Sequence, residues 1–331
     1  MSKLGSVVLF AFLLLCGTVS AQFTLSSTPL FRENVVTVSV SGAPAYQPWH
    51  LAFDESPGPT FVPGWGTINL GLTSSLYIVW NNATDLHGNG SWAAIPVSAT
   101  EGDVIHALAV VGNPASPTGI TYSNGTSGGV HPAPVAVGAS ITLPLGEDEA
   151  EVVPFPGGWS FPFYGTNYNG VSVTSNGLLT FGGSTIDPTE QISDFLAGLP
   201  KIACLWDDLS PQVAGEIRVE TGSDWLKVIW TDIPQFYVLD QNCVEATLYS
   251  DGRFTLYWPH VDLQDSMVGV SPGLWQGQAV FEDFDLAAGE GHTNGYGAVL
   301  EQFLGSSRPF DLRERALTFF PLPGGGYHWV R

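Results

Sequence analysis

"YNGVSVTSNGLLTFGG", residues 168–183, is the stretch whose reading decides the fold. On an extended chain Val171 and Val173 point one way, and Ser172 and Thr174 point the other. Asn176-Gly177 follows, then Leu178, Leu179, Thr180 and Phe181. Two short β-type runs about an Asn-Gly pair predict a hairpin, because both residues tolerate the positive φ of a type I′ turn. Asp251-Gly252, between "CVEATLYS" and "GRFTLYW", is a second signal of the same kind. Val171, Val173 and Phe181 are the expected core of the first hairpin.

The same pattern extends outward in both directions. Toward the C-terminus lie "KIACLW", "GEIRVET", "DWLKVIWTDI", "MVGVS" and "ALTFFPL"; toward the N-terminus lie "NVVTVSVSG", "SLYIVW" and "DVIHALAVVG". Gly (39) and Pro (24) are abundant and only 12% of residues are charged, a composition that suits many short strands joined by turns. One segment, "TEQISDFLAGLP", predicts a helix, with Thr189 as its cap and Gly198 and Pro200 as its stop. No solenoid period recurs. The expected fold is all-β: two β-sandwich-like domains behind a cleaved signal peptide.

Domain limits follow from composition. Lys3, the apolar run "VVLFAFLLLCG" and the permissive Val19 and Ala21 predict a signal peptide over 1–21. Leu15 before Cys16 is too bulky for a lipobox, and the run is short for a membrane span. A first β domain is expected over 22–132, a Pro/Gly-containing linker over 133–146, and a second β domain over 147–331. "ASITLPLG" inside the linker already reads as a strand.

The formal charge is −21, unevenly spread. Residues 22–146 carry six acids and one base, Arg32, whereas 147–331 carry 25 acids and eight bases. That balance argues against nucleic acid or an anionic membrane as a partner. After cleavage two cysteines remain, Cys204 and Cys243. An oxidising compartment permits a disulfide between them; two thiols packed as small hydrophobes is the other reading.

Most catalytic patterns fail on their chemistry. Gly269-Val270-Ser271-Pro272-Gly273 matches a nucleophile elbow, but the oxyanion hole needs the N–H that Pro272 lacks. Asp207 and Asp208 could work as acid and base or bind a hard cation, yet neighbours on a strand face opposite ways. A hydrolase would have to pair Asp208 with another acid. "FEDFDLAAGEGHTNGYG" collects Glu282, Asp283, Asp285, Glu290 and His292 without the order of an EF-hand loop. Asp207, Asp208, Asp283 and Asp285 are therefore the calcium candidates, and no other cofactor is expected. Asp85, His87 and Asn89 have the types of both turn residues and cation ligands. His106, inside an apolar run, is expected to be buried and hydrogen-bonded. Asn82, Asn89 and Asn124 begin glycosylation sequons.

Three segments in order resemble the extracellular nidogen-like (NIDO) domain over residues 147–275. "FPFYGTNYNGVSVTSNGLLTFG" is similar to its aromatic-Gly, Tyr, Asn-Gly-Leu, Phe pattern. "KIACLWDDLS" places Trp206 and Asp208 at its Trp-x-Asp stretch, with Ser210 where a second Asp often stands. "NCVEATLYSDGRFTLYW" followed by "VGVSPG" resembles its Asp-Gly strand pair, with Val244 and Glu245 replacing Phe and Gln. In residues 22–132, "GTINLGL", "WAAIPVSA" and "GITYSNG" are similar to modules of secreted proteins from planctomycete-like bacteria, which bring no assigned chemistry. The resemblance implies a secreted, non-catalytic adhesion, cell-surface or matrix protein whose partner is an extracellular protein or glycan. The alternative is a carbohydrate-binding module stacking sugars on Trp65, Trp159 or Trp275.

Overall fold

The computed structural model describes residues 23–331 except 63–65, 95–98, 113–120, 124, 136–137, 264, 275–277 and 286–288. The expected leader, Trp65 and Trp275 lie outside the described residues. Among the described residues the regular structure is almost wholly β, as the Gly- and Pro-punctuated alternation predicts.

The N-terminal unit is a sandwich. Thr24–Ser27, Val36–Ser41 and Gly90–Ala94 form one sheet. The facing sheet runs Leu30–Phe31, Thr126–His131, Val104–Val111, Pro48–Asp54, Tyr77–Ala83. Val36, Val38 and Val40 alternate inward against Trp49, Leu51 and Ala109 from that second sheet. Val104–Val111 sits at its middle, and Leu108 and Val110 turn to a smaller core of Ile68 and Leu70 on the far side. Burial on both faces explains why that strand reads as one apolar run.

The second unit packs an eight-stranded sheet on a seven-stranded one. The eight run Ala139–Leu143, Glu216–Thr221, Trp225–Ile233, Asn242–Tyr249, Phe254–Val261, Ala316–Pro321, Tyr327–Val330, Glu290–His292. Ala139–Leu143 pairs with Glu216–Thr221. The segment expected as linker over 133–146 thus contains the edge strand of this sheet. The seven-stranded sheet carries the opening hairpin, Gly170–Thr174 and Leu178–Thr180, beside Lys201–Trp206 and Asp265–Ser271. Between the sheets lie Val171, Val173, Leu179, Phe181, Trp230 and Trp258. The indole N–H of Trp230 donates to the Thr174 carbonyl (3.0 Å) and that of Trp258 to the Cys204 carbonyl (2.8 Å), so neither large ring strands a donor.

Two local expectations are corrected. The hairpins are not two-residue I′ turns, which need positive φ at both central residues. Val173 pairs with Leu179, leaving Ser175, Asn176 and Gly177 as the loop, and only Gly177 is left-handed (φ 71°). Asp251-Gly252 behaves alike: only Gly252 is left-handed (φ 90°), and the Tyr249 N–H reaches the Arg253 carbonyl (2.9 Å). Both are three-residue loops ending in a left-handed glycine. The expected helix is shorter, Ile192–Leu196, and its cap is Gln191 without a side-chain bond; Thr189 offers only its carbonyl, to the Gln191 N–H. Left-handed Gly198 (φ 68°) does follow its end. The helix sets Phe195 on Leu178, Trp206 and Met267, covering the outer face of the sheet.

The units meet along Thr126–His131, Ala316–Pro321 and Tyr327–Val330. His131 Nδ1 lies 3.0 Å from the Thr318 hydroxyl, which lies 2.8 Å from the Thr255 hydroxyl. Phe31 stands edge-on to Tyr257 with centroids 6.0 Å apart. The Gly129 N–H donates to the Arg331 carbonyl. Glu101 is held between Arg32 (3.5 Å) and Arg253 of the second unit's hairpin. We expect Glu101→Gln to lower stability by about 1 kcal/mol at low salt, since both partners are only part-buried, and by less at ~1 M salt. Chemical denaturation at the two ionic strengths measures it.

Candidate ligand-binding cleft

Alternation on the eight-stranded sheet builds the floor of a cleft. In Asn242–Tyr249 the even residues Val244, Ala246 and Leu248 go to the core, so Glu245, Thr247 and Tyr249 face outward. In Phe254–Val261, Thr255 and Tyr257 share that face. Register sets Lys227, Thr247, Thr255 and Thr318 in one cross-strand row and Glu245 beside Tyr257 in the next. Lys227 Nζ lies 3.0 Å from Glu245 Oε2, pairing the two charges.

The opposite wall comes from the N-terminal unit. Outward residues Thr37 and Ser39 of Val36–Ser41, with Ser26, Ser27 and Asn34, look across at that floor. Arg313, Glu314 and Arg315 close one side. The cleft measures about 810 Å3, within the ~300–1,000 Å3 usual for small-molecule sites, and it lies where such sites commonly lie, between two units. At the joint beside it His131 is buried and its imidazole is pushed down to about 3 by that burial, so it is neutral.

The acids singled out in the sequence fall elsewhere. Asp207 follows the strand Lys201–Trp206, buried, with its carboxylate accepting from the Asp208 N–H (2.8 Å) and from the Gln235 amide. Burial raises its pKa to about 8. Asp208 is half-buried and raised by burial and by Asp148. Asn176, read as a turn residue, is fully buried beside them: its amide donates to Asp148 (2.8 Å) and its oxygen accepts from the Leu209 N–H (3.2 Å). These groups tie the hairpin to the loop after Trp206.

The Asp285 N–H donates to the Asp283 carboxylate (3.2 Å), but the two carboxylates turn to different partners. Asp285 pairs with Arg315 (3.2 Å) and Arg331. Asp283 joins Glu301 and Asp311, with one oxygen of each within 4.8 Å of the others. Glu301, 2% exposed, accepts from the Phe284 N–H (2.9 Å), and burial raises its pKa to about 8; Asp311 rises to about 6. These three carboxyls could take a hard cation or share protons. Glu290 meets His328 at 3.2 Å instead. Glu301 was missed in the sequence, though a lone acid inside "AVLEQFL" is a readable signal.

The remaining candidates have structural surroundings. Cys204 is buried and Cys243 part-buried, and both are free thiols. Cys243 Sγ sits 3.3 Å from Asp232. Ser271 is buried, its hydroxyl accepting from the Gly273 N–H (3.1 Å). Asp85 accepts from the N–H groups of His87 and Asn89, both at 2.8 Å, which is turn chemistry. His106 is 8% exposed. Trp159 stacks on Phe155 with centroids 4.2 Å apart, so that ring face is already covered.

The family model described as NIDO related matches residues 121–233. Residues 121–233 thus carry a NIDO-related segment, and the nidogen-like resemblance is supported over 147–233; the strand pair that follows lies outside the match. The matched segment begins before the expected 147 and ends before 275. It runs from the last strands of the first sandwich, through the opening hairpin and Trp206-Asp207-Asp208, to Ile233 at the end of the strand holding Lys227. No curated protein matches the chain. Among the described residues no helix is long and apolar enough to cross a membrane.

Proposed function

We propose that the protein is a secreted, non-catalytic interaction module of adhesion or matrix type, which binds its partner in the cleft between its two units. The observation that carries the reading is that cleft: an open space of about 810 Å3 whose walls come from both units. The NIDO-related segment supports an extracellular setting. A non-catalytic role is supported by the acids: the Asp207 carboxyl is occupied by Gln235 and the Asp208 N–H, and Asp285 by two arginines.

Retention on immobilised protein tests this. Residues 22–331 are exposed to secreted and envelope fractions of the source cells, beside a Ser39→Trp variant whose ring would fill the cleft from the exposed side of its strand. The wild type is expected to enrich a discrete component, and Ser39→Trp, folded by its unchanged melting temperature, to lose at least ~90% of it, a loss of about 1.4 kcal/mol or more. Equal retention by both proteins would refute the cleft as the site.

A further inference from the structure

We infer that the cleft takes a neutral oligosaccharide, which rests on its being the binding site. Nine of its 22 lining residues carry hydroxyls, among them Thr37, Ser39, Thr247, Thr255, Tyr249 and Tyr257, so the cleft offers many neutral hydrogen-bonding groups. Its charged residues balance: Lys227, Arg313 and Arg315 against Glu245, Asp311 and Glu314. On a chain with 10 bases and 31 acids, such parity is a local departure from the acidic surface. A polyanion would face the field of the whole chain, −21, and find no excess of cations here. A polycation would be drawn by that same field but would find no excess of acids in the cleft to hold it there.

The arrangement suits sugar chemistry. A pyranose offers apolar C–H faces and a rim of hydroxyls that both donate and accept. Tyr257 and Phe31 supply an aromatic corner where the wall meets the floor. Lys227 and Glu245, already paired at 3.0 Å, supply a donor and an acceptor side by side whose charges are compensated before and after binding. The floor strands are interior to their sheet, with backbone groups paired on both sides, so the floor recognises through side chains and cannot extend an incoming peptide strand. The volume, about 810 Å3, suits several rings rather than one.

An array of neutral glycans, followed by calorimetry of the best neutral tetrasaccharide, tests the assignment. Tetragalacturonate and an uncharged Ser/Thr-rich hexapeptide serve as the rival arms. At least one neutral oligosaccharide is expected to bind with Kd of about 1 mM or tighter, and tetragalacturonate at least ~10-fold more weakly. Glu245→Gln, which keeps shape on an outward position, is expected to weaken binding at least ~5-fold, and Tyr257→Ala to abolish it. If Tyr257→Ala unfolds, Glu245→Gln decides alone. No neutral glycan bound, the hexapeptide or tetragalacturonate bound more tightly, or binding unchanged in Glu245→Gln would each overturn the inference. Retention that Ser39→Trp abolishes, with every neutral glycan silent, would leave the cleft standing and remove only the sugar.

Discussion

Gly177→Ala is expected to lower folding stability by about 3–5 kcal/mol, enough to unfold a protein of ordinary stability. Two costs add. At φ 71° a side chain is strained by about 1 kcal/mol. The larger cost is space: a Cβ on Gly177 would overlap the carbonyl oxygen of Leu205. That approach cannot relax, because the Gly177 carbonyl accepts from the Cys204 N–H (2.9 Å) and the next residue pairs with Ala203. Denaturant unfolding of Gly177→Ala against Gly252→Ala is informative. Gly252 is also left-handed, but its Cβ would meet the Pro162 carbonyl oxygen at 2.8 Å, a less severe overlap than at Gly177, so the smaller loss is expected there.

Glu301→Gln is expected to flatten the stability–pH curve on its alkaline side. Burial holds the folded Glu301 carboxyl at about 8, whereas the unfolded carboxyl releases its proton near 4.3. Between those values the folded chain binds the extra proton, so the contribution is fully present below about pH 4 and is lost as pH rises through about 8. Asp207, also raised to about 8, adds in the same direction. His131 acts oppositely, its stability loss falling between about pH 6.5 and 3, so it is silent above neutrality. From pH 6.5 to 8 the wild type should therefore lose about 2 kcal/mol per buried acid, and Glu301→Gln should remove one such share. The amide reproduces the protonated acid: its oxygen can keep the Phe284 N–H. Thermal melts at half-unit pH steps measure the slope; an unchanged slope in Glu301→Gln would contradict the assignment.

Fold class was legible because period-two alternation and Asn-Gly or Asp-Gly turns are local signals. What lay beyond them was set by tertiary packing. Ser172 and Thr174 alternate as a solvent face should, yet both are buried, on the side of the sheet where the helix Ile192–Leu196 sets Phe195 on Leu178, Trp206 and Met267. Asn176 looked like a turn residue and is instead a buried clamp on Asp148 and Leu209, contacts 28 and 33 residues away. Glu301 and Asp311 meet Asp283 only once distant strands pair. The cleft was hidden for the same reason. Thr37, Glu245 and Tyr257 each read as an ordinary outward residue on its own strand, and only the docking of His131 on Thr318 brings their strands face to face.

Hydrogen exchange of the protein with and without the component it retains tests the central claim most directly. Occupation of the cleft predicts protection on both walls at once, in 26–39 from the first unit and in 242–261 from the second. Protection confined to one unit, or to the outer face of the seven-stranded sheet, would contradict it.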